Sequence, residues 1–82
     1  MTQRDFLEMI VKYNSTDRRV IKTNFKRVMK QSGIKLHDIV SLGYNRDNAA
    51  TWTNKAAPNI PLFHQALKIA TEFNFDFKEF LK

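Results

Sequence analysis

The chain of 82 residues has no cysteine, two glycines, two prolines and two histidines. Without cysteine it forms no disulfide and no thiolate metal site, and the separated His37 and His64 are too few to hold zinc. The sequence also lacks a Gly-rich phosphate loop, and neither histidine is paired in sequence with a nucleophile. We therefore expect no cofactor, no metal centre and no enzymatic activity.

Long apolar runs are missing as well. The longest, residues 9–11, is far shorter than a membrane span. The first residues are charged and polar where a secretion signal would be apolar. A chain of this length supports one hydrophobic core. We expect a single domain over residues 1–82, in a soluble, cytoplasmic protein with no membrane partner.

Positive charge is in excess and unevenly distributed. Fourteen Lys and Arg residues oppose eight Asp and Glu residues, giving a formal net charge of +6. The window 18–35 contains seven bases and no acid: Arg18, Arg19, Lys22, Lys26, Arg27, Lys30 and Lys35. Such a concentration indicates a polyanionic partner, either a nucleic acid or an anionic membrane surface. The other interpretation is a solvated basic face.

The first segment predicts a short amphipathic helix over residues 4–13, broken at residues 14–16. Its apolar side chains at helical spacing are Phe6, Leu7, Ile10 and Val11. Ser15 or Thr16 is expected to cap the next helix, with Asp17 in its positive first turn. Residues 1–17 thus form an N-terminal unit of their own.

The second helix is predicted to carry two different faces. The apolar face holds Ile21, Phe25, Val28 and Met29, and the basic face holds Lys22, Lys26 and Lys30. Gly33 fits the position after the last turn, where a left-handed backbone favours glycine.

Two short helices joined by a tight turn follow, over 36–42 and 46–54. Gly43 allows the turn, and Asn45 is expected to cap the second helix. That helix is mostly polar, and its apolar Ala49 and Trp52 share one face. The other face offers side chains suited to reading base edges in DNA. The alternative is an ordinary exposed helix that contacts nothing.

The C-terminal segment is predicted to be structural. An apolar helix is predicted over 62–73, after Pro61, which suits a first-turn position. This helix is expected to end at Asn74. Asp76 then caps a final turn, with Glu79 as its capping-box partner. Residues 73–77 alternate and are also compatible with a strand. The remaining apolar residues are assigned to the core or, as the alternative, to a dimer contact: Phe75, Phe77, Phe80 and Leu81.

Several short sequence segments, in this order, resemble those of a known family: Gly33-Ile34-Lys35-Leu36-His37-Asp38-Ile39-Val40, Leu42-Gly43-Tyr44-Asn45, Trp52, Pro61-Leu62, Leu67-Lys68-Ile69-Ala70 and residues 73–81. The series resembles the Cro and phage-repressor class of helix-turn-helix domains, the xenobiotic-response-element-type family. With a first helix at about 20–32, the resemblance covers most of the chain. It implies an all-α fold of five to six helices of the lambda-repressor type, with residues 18–82 as the core and 1–17 as an additional helix.

The resemblance also implies a function. The protein would be a sequence-specific transcriptional regulator or repressor that binds double-stranded DNA, of the kind carried by phages and mobile elements. Helix 46–54 would read the major groove, with Arg46, Asp47, Asn48, Ala50 and Thr51 at base edges. Phosphates would be contacted by Lys35, Asn45 and Lys55, and then by Lys22, Lys26 and Lys30. A domain this small is expected to bind as a homodimer. The dimer surface is either the C-terminal phenylalanines or the N-terminal helix, through Phe6, Met9, Ile10 and Tyr13.

Departures from the family pattern support a different partner, another protein. Leu36 stands where the family often has a polar residue, and Met29 and Thr53 replace a common Arg–Glu pair. On this interpretation the chain is an interaction module, such as an antirepressor or a small inhibitor. A third interpretation places the basic helix 17–32 on an anionic membrane, although its apolar residues suit a core better.

Overall fold

The computed structural model describes residues 2–82, in which five α-helices and one 3₁₀ helix follow one another and no strand occurs. The elements are α1 (Gln3–Ser15), α2 (Arg18–Ser32), α3 (Leu36–Val40), α4 (Arg46–Thr51), α5 (Phe63–Glu72) and the C-terminal 3₁₀ helix (Phe77–Leu81). They form one all-α body of 33 × 24 × 22 Å. The predicted all-α class is confirmed, while the first residue of the predicted unit 1–17 lies outside the described residues. No helix within 2–82 has the length and apolar character needed to cross a membrane.

Asp17 is the N-terminal cap of α2, one or two residues later than the predicted cap, Ser15 or Thr16. Its carboxylate accepts the Arg19 amide hydrogen at 2.7 Å. Ser15 and Thr16 are not available for this role, because their hydroxyls donate to α1 carbonyls four residues back, each at 2.7 Å. These two residues therefore finish α1, and the acid that follows them starts α2.

α2 and α5 end in the same way, on a residue with a left-handed backbone. Gly33 has φ +67°, as its predicted position requires, and the next amide, of Ile34, donates to the Met29 carbonyl at 2.8 Å. Asn74 has φ +58°, and the Phe75 amide bonds back to α5 at 3.0 Å. In both places the chain reverses and an apolar side chain turns toward the core.

The short helices are shorter than predicted because their final turns tighten. The amides of Leu42 and Gly43 donate to carbonyls three residues back, after α3 has ended at Val40. Trp52 and Asn54 do the same beyond the end of α4. Three-residue bonds of this kind commonly close an α-helix. The predicted ranges 36–42 and 46–54 therefore each contain a helix and its closing turn.

α5 also begins one residue later than predicted, at Phe63. Leu62 is its cap, and the Gln65 side chain accepts the Leu62 amide hydrogen at 2.9 Å. Pro61 therefore lies just outside the helix and not in its first turn.

Asp76 caps the 3₁₀ helix as predicted, by accepting the Lys78 amide hydrogen at 2.9 Å. The predicted capping-box role of Glu79 is wrong. Its carboxylate lies instead 2.8 Å from the Lys82 ammonium and 3.5 Å from the Arg27 guanidinium. Hydrogen bonding to Lys82, together with the positive charge of Arg27, lowers the pKa of Glu79. One base of the window 18–35 is thereby used to fasten the C-terminal helix.

A continuous series of aromatic contacts crosses the core from α1 to the turn before α4. In order, its members are Phe6, Phe63, Phe77, Phe80, Phe25, Trp52 and Tyr44. Successive ring centroids lie between 5.1 and 6.3 Å apart, mostly edge to face. Such pairs add to the stabilisation that burial alone provides. Phe77 and Phe80 are both buried, so the predicted core role of the C-terminal phenylalanines is confirmed.

Tyr13 anchors the additional N-terminal helix. The side chain is buried, its ring contacts Phe63 and Phe77, and its phenol donates to the Pro61 carbonyl at 2.5 Å. Burial raises the pKa of this phenol, so it remains a donor throughout the ordinary pH range.

The rotation of α1 differs from the predicted one. Met9 and Tyr13 face the core, whereas Leu7 is 53% exposed and Val11 is 65% exposed. The predicted face of Phe6, Leu7, Ile10 and Val11 is therefore only partly buried. The rotation follows from Tyr13, because its ring and hydroxyl both have partners deep in the fold.

We expect Tyr13→Phe to lower the free energy of unfolding by about 1 kcal/mol, because the Pro61 carbonyl loses its donor. Urea denaturation followed by circular dichroism measures this change. Tyr44→Phe is the matched control, since the Tyr44 hydroxyl has no hydrogen-bond partner within residues 2–82, and its effect should stay within about 0.5 kcal/mol. Equal losses in the two variants would contradict the anchoring role of the Tyr13 hydroxyl.

Candidate nucleic-acid interface

α4 attaches to the core by one face. Ala49 and Trp52 are buried, and the Trp52 ring contacts Phe25 and Tyr44. Their predicted common face is thus confirmed. Four other side chains of this helix are exposed, and we call them the outer face of α4: Arg46, Asp47, Asn48 and Ala50.

The start of α4 is fixed by Asn45 and by the turn before it. The Asn45 side-chain oxygen accepts the amide hydrogens of Asp47 at 2.9 Å and Asn48 at 3.2 Å, which confirms the predicted cap. Gly43 has φ +103°, and no atom lies within 4 Å of the place where a β-carbon would be. Backbone conformation, and not lack of space, therefore calls for glycine here.

The end of α4 is held by a buried lysine. Lys22 is 5% exposed, and its ammonium donates to the Thr51 carbonyl at 2.6 Å. A cation is favourable at the carbonyl end of a helix, where the helix dipole is negative. Burial lowers the pKa of Lys22, while the bond to the Thr51 carbonyl favours the protonated amine, because a charged donor makes the stronger hydrogen bond. The predicted exposed face of Lys22, Lys26 and Lys30 is wrong for its first member, because that ammonium is bound inside the protein.

The side chains on the outer face of α4 make almost no ion pairs or hydrogen bonds to other described residues. No ion pair within residues 2–82 includes Arg46 or Asp47, and the hydrogen bonds of Asn48 involve its backbone. Thr51 is different, since it is half-buried and its hydroxyl donates to the Asn48 carbonyl at 2.6 Å. The guanidinium of Arg46 and the amide of Asn48 are therefore available to a ligand.

The other predicted phosphate contacts lie at separate places. Lys35 and Lys55 are exposed on either side of the α3–α4 unit, and Asp38 accepts the Lys35 amide hydrogen at 2.8 Å while the Lys35 ammonium stays in solvent. Lys26 and Lys30 are exposed on α2, roughly 6 and 12 Å beyond Lys22 along the helix axis. The structure therefore brings Lys55 and Lys22 together but not the whole predicted set.

Arg18 and Arg19 were not among the residues that the sequence assigned to the interface, yet they lie beside α4. A groove of about 540 Å³ is lined by both arginines, Lys22, Lys55 and residues 56–58, with Asp17 as its acid. We call this the basic groove. Both arginines belong to the basic window 18–35. Arg18 also makes a contact across the fold that sequence reasoning missed, with its guanidinium 3.5 Å from the Pro58 carbonyl.

A second groove joins the basic groove to α4. It has a volume of about 550 Å³, shares Arg18 and Pro58 with the basic groove, and is lined on its far side by Asn48. Asp17 lowers the positive charge locally, since bonds from the Arg19 amide and guanidinium lower the pKa of its carboxyl and keep it ionised. Three exposed bases, Arg18, Arg19 and Lys55, still oppose this one acid. The positive charge therefore continues from the residues after α4 to the start of α2.

The histidines take no part in this surface. His37 is exposed, with its Nε2 atom 3.3 Å from the Asp38 carboxylate. His64 is exposed on α5. No cluster of three or more His, Asp or Glu side chains that could hold a metal ion occurs within residues 2–82.

We expect Lys22→Glu to lower the free energy of unfolding by about 3 kcal/mol, because it replaces the donor of a buried hydrogen bond with a carboxylate that faces the Thr51 carbonyl oxygen. The matched change Lys26→Glu makes the same charge reversal one turn along α2 at an exposed position. Its effect on stability should stay within about 0.5 kcal/mol. Urea denaturation measures both, and similar stabilities of the two variants would show that the Lys22 ammonium does not hold the end of α4.

Two chemical groups thus dominate the surface: hydrogen-bonding side chains on the outer face of α4, and cations in the groove beside it. Bidentate donors suit planar acceptors such as base edges, and a row of cations suits a chain of phosphates. These properties have to be interpreted from the residues themselves. Comparison of this chain with protein-family models, with curated proteins and with solved structures finds no match.

Proposed function

We propose that this protein is a sequence-specific, double-stranded DNA-binding regulator of transcription, of lambda-repressor-like helix-turn-helix type. The observation that carries the proposal is the outer face of α4, where Arg46 and Asn48 are exposed and their side chains are unpaired within residues 2–82. Asn45 and Lys22 fix the two ends of that helix. A site held on a rigid element loses little conformational freedom on binding, which favours affinity.

Two short helices joined by a tight turn are the unit that inserts its second helix into the major groove. α3, the turn at Gly43 and α4 follow this order. In the groove the Arg46 guanidinium would donate two hydrogen bonds to guanine, and the Asn48 amide would pair with adenine. Asp47 would accept from a cytosine amine, and Ala50 would contact a thymine methyl group. Thr51 has its hydroxyl proton engaged, so it would act as an acceptor.

Cations on both sides of the motif would hold the phosphate backbone. We assign this role to Lys35 at one side, where the neutral Asn45 amide would add a hydrogen bond, and to the basic groove, through Arg18, Arg19 and Lys55, at the other. Lys26 and Lys30 remain second candidates. Each phosphate that is neutralised releases bound counterions, so it adds affinity and salt dependence without specifying sequence. A homodimer would read two half-sites about one helical turn apart.

The direct test is selection of bound duplexes from a random pool at roughly 150 mM salt, where nonspecific phosphate contacts are weakened. We expect enrichment of a defined motif with two-fold symmetry. If nothing is enriched, and binding is salt-labile or missing, the proposal is wrong. The protein-interaction module would then be the better account, to be tested by a partner pull-down.

Replacing Arg46 and Asn48 together by Ala should abolish the preference for the selected motif, because each bidentate contact contributes about 1–3 kcal/mol of discrimination. Weak binding to all duplexes should remain, because the phosphate contacts are intact. Fluorescence anisotropy with matched and scrambled duplexes measures the ratio. The control is Thr23→Ala with Lys78→Ala, which makes the same charge change at exposed positions outside α4, the basic groove and α1. Retained preference in the first variant would exclude α4 as the reading helix.

Replacing Arg18, Arg19 and Lys55 together by Gln should weaken binding to every duplex equally. The slope of log affinity against log salt should fall by about 2 to 3, since each phosphate contact contributes roughly 0.9. A matched variant removes three exposed cations outside the basic groove: Lys68→Gln, Lys78→Gln and Lys82→Gln. The same loss of slope in both variants would mean that overall charge, and not the basic groove, tracks the backbone.

A further inference from the structure

α1 carries a second apolar face that the fold does not cover. Leu7 and Val11 lie one turn apart and are 53% and 65% exposed. At 100° per residue, this pair lies roughly 160° around the helix from Met9 and Tyr13, which face the core. We call Leu7 and Val11 the outer stripe. A shallow groove runs along it and is lined entirely by α1 residues.

α1 carries most of the large apolar side chains that are exposed within residues 2–82. Five large ones are exposed within residues 2–82, and Phe6, Leu7 and Val11 of α1 are three of them. Val20 and Leu62 are the other two, and they lie on separate elements. Single exposed apolar residues are ordinary on a protein surface, whereas a contiguous set marks a contact surface.

Charge determines which partner suits this stripe. α1 carries two bases and two acids, Arg4, Lys12, Asp5 and Glu8, so it has no net charge, although the whole chain carries +6. A nucleic acid, an anionic membrane or an acidic protein would therefore be drawn to the basic groove and not to α1. A second copy of this chain would be repelled by the positively charged surfaces outside α1. At α1, which has no net charge, this repulsion is absent.

We propose that the outer stripe binds the outer stripe of a second copy, with the two α1 helices antiparallel about a two-fold axis. Such a self-complementary contact is the common form of a homodimer. When Leu7 packs against Val11 of the partner subunit, Glu8 comes within reach of Lys12 of the partner subunit. Glu8 already lies 3.6 Å from Arg4 on its own helix, so a row of charges of both signs would flank the apolar contact along one side.

The size of the outer stripe makes this dimer weak. A helix of 13 residues is about 20 Å long, and one of its faces covers less than the roughly 800 Å² per partner of a stable interface. The dimer is therefore in reversible equilibrium with the monomer, and the fraction of dimer rises with protein concentration. This pairing does not depend on the proposed function, although DNA with two half-sites would strengthen it.

Sedimentation equilibrium of the full chain without DNA, from about 5 to 500 μM, tests the proposal. We expect a monomer–dimer equilibrium with a Kd inside this range. Leu7→Gln with Val11→Gln should raise the Kd about tenfold or more, because the apolar contact is lost. Val20→Gln with Leu62→Gln removes two exposed apolar side chains elsewhere and should leave the Kd unchanged. Circular dichroism checks that both variants keep their helices.

A charge exchange tests the antiparallel arrangement separately. Glu8→Lys alone should weaken the dimer, because it opposes like charges across the axis, and Lys12→Glu added to it should restore much of the affinity. A chain that is monomeric throughout the concentration range would overturn the proposal. So would a dimer that survives the loss of the outer stripe, or one that only the Val20 and Leu62 changes dissolve. These measurements contain no DNA, so their failure is distinguishable from a failure of duplex selection.

Discussion

The contact between Trp52 and Phe25 is the point on which the rest of the fold depends. Trp52 is the largest side chain that the α4 region places in the core, and its ring lies 6.3 Å from that of Phe25. Phe25 in turn meets Phe80 of the C-terminal 3₁₀ helix at 5.4 Å. A chain with no disulfide relies on such packing. The most polar helix is therefore joined through two rings to the last turn of the chain.

The elements whose signals are local were predictable, and the features that depend on distant partners were not. Gly33, Asn45 and Asp76 act on backbone groups within a few residues, so the sequence around them contains the whole cause. The rotation of α1 depends on a Tyr13 bond to a carbonyl 48 residues away, and the burial of Lys22 depends on a carbonyl 29 residues away. In the candidate site, the outer face of α4 could be predicted because its signals are local. The basic groove could not, because it depends on contacts between residues far apart in the sequence.

Counting charges along the sequence overstates the electrostatic surface. Of the seven bases in the window 18–35, Lys22 is turned inward, Arg27 contacts Glu79 and Arg19 contacts Asp17. Two of these contacts stabilise the junctions between elements, at α4 and at the C-terminal helix. Some basic side chains of α2 thus contact other parts of the fold, and others face solvent. Periodicity reveals the helix, but it does not reveal which bases have partners in the fold.

The outer face of α4 has a consequence for how the protein can change. Its inner face, its cap and its buried lysine contact together hold the helix, so Arg46, Asp47, Asn48 and Ala50 contribute little to stability. Substitutions at these four positions are therefore thermodynamically close to neutral, as exposed positions usually are. Variation can accumulate there without loss of folding, and new recognition properties can arise on an unchanged scaffold. Stability and recognition are thus separable traits in this chain, encoded by opposite sides of the same six-residue helix.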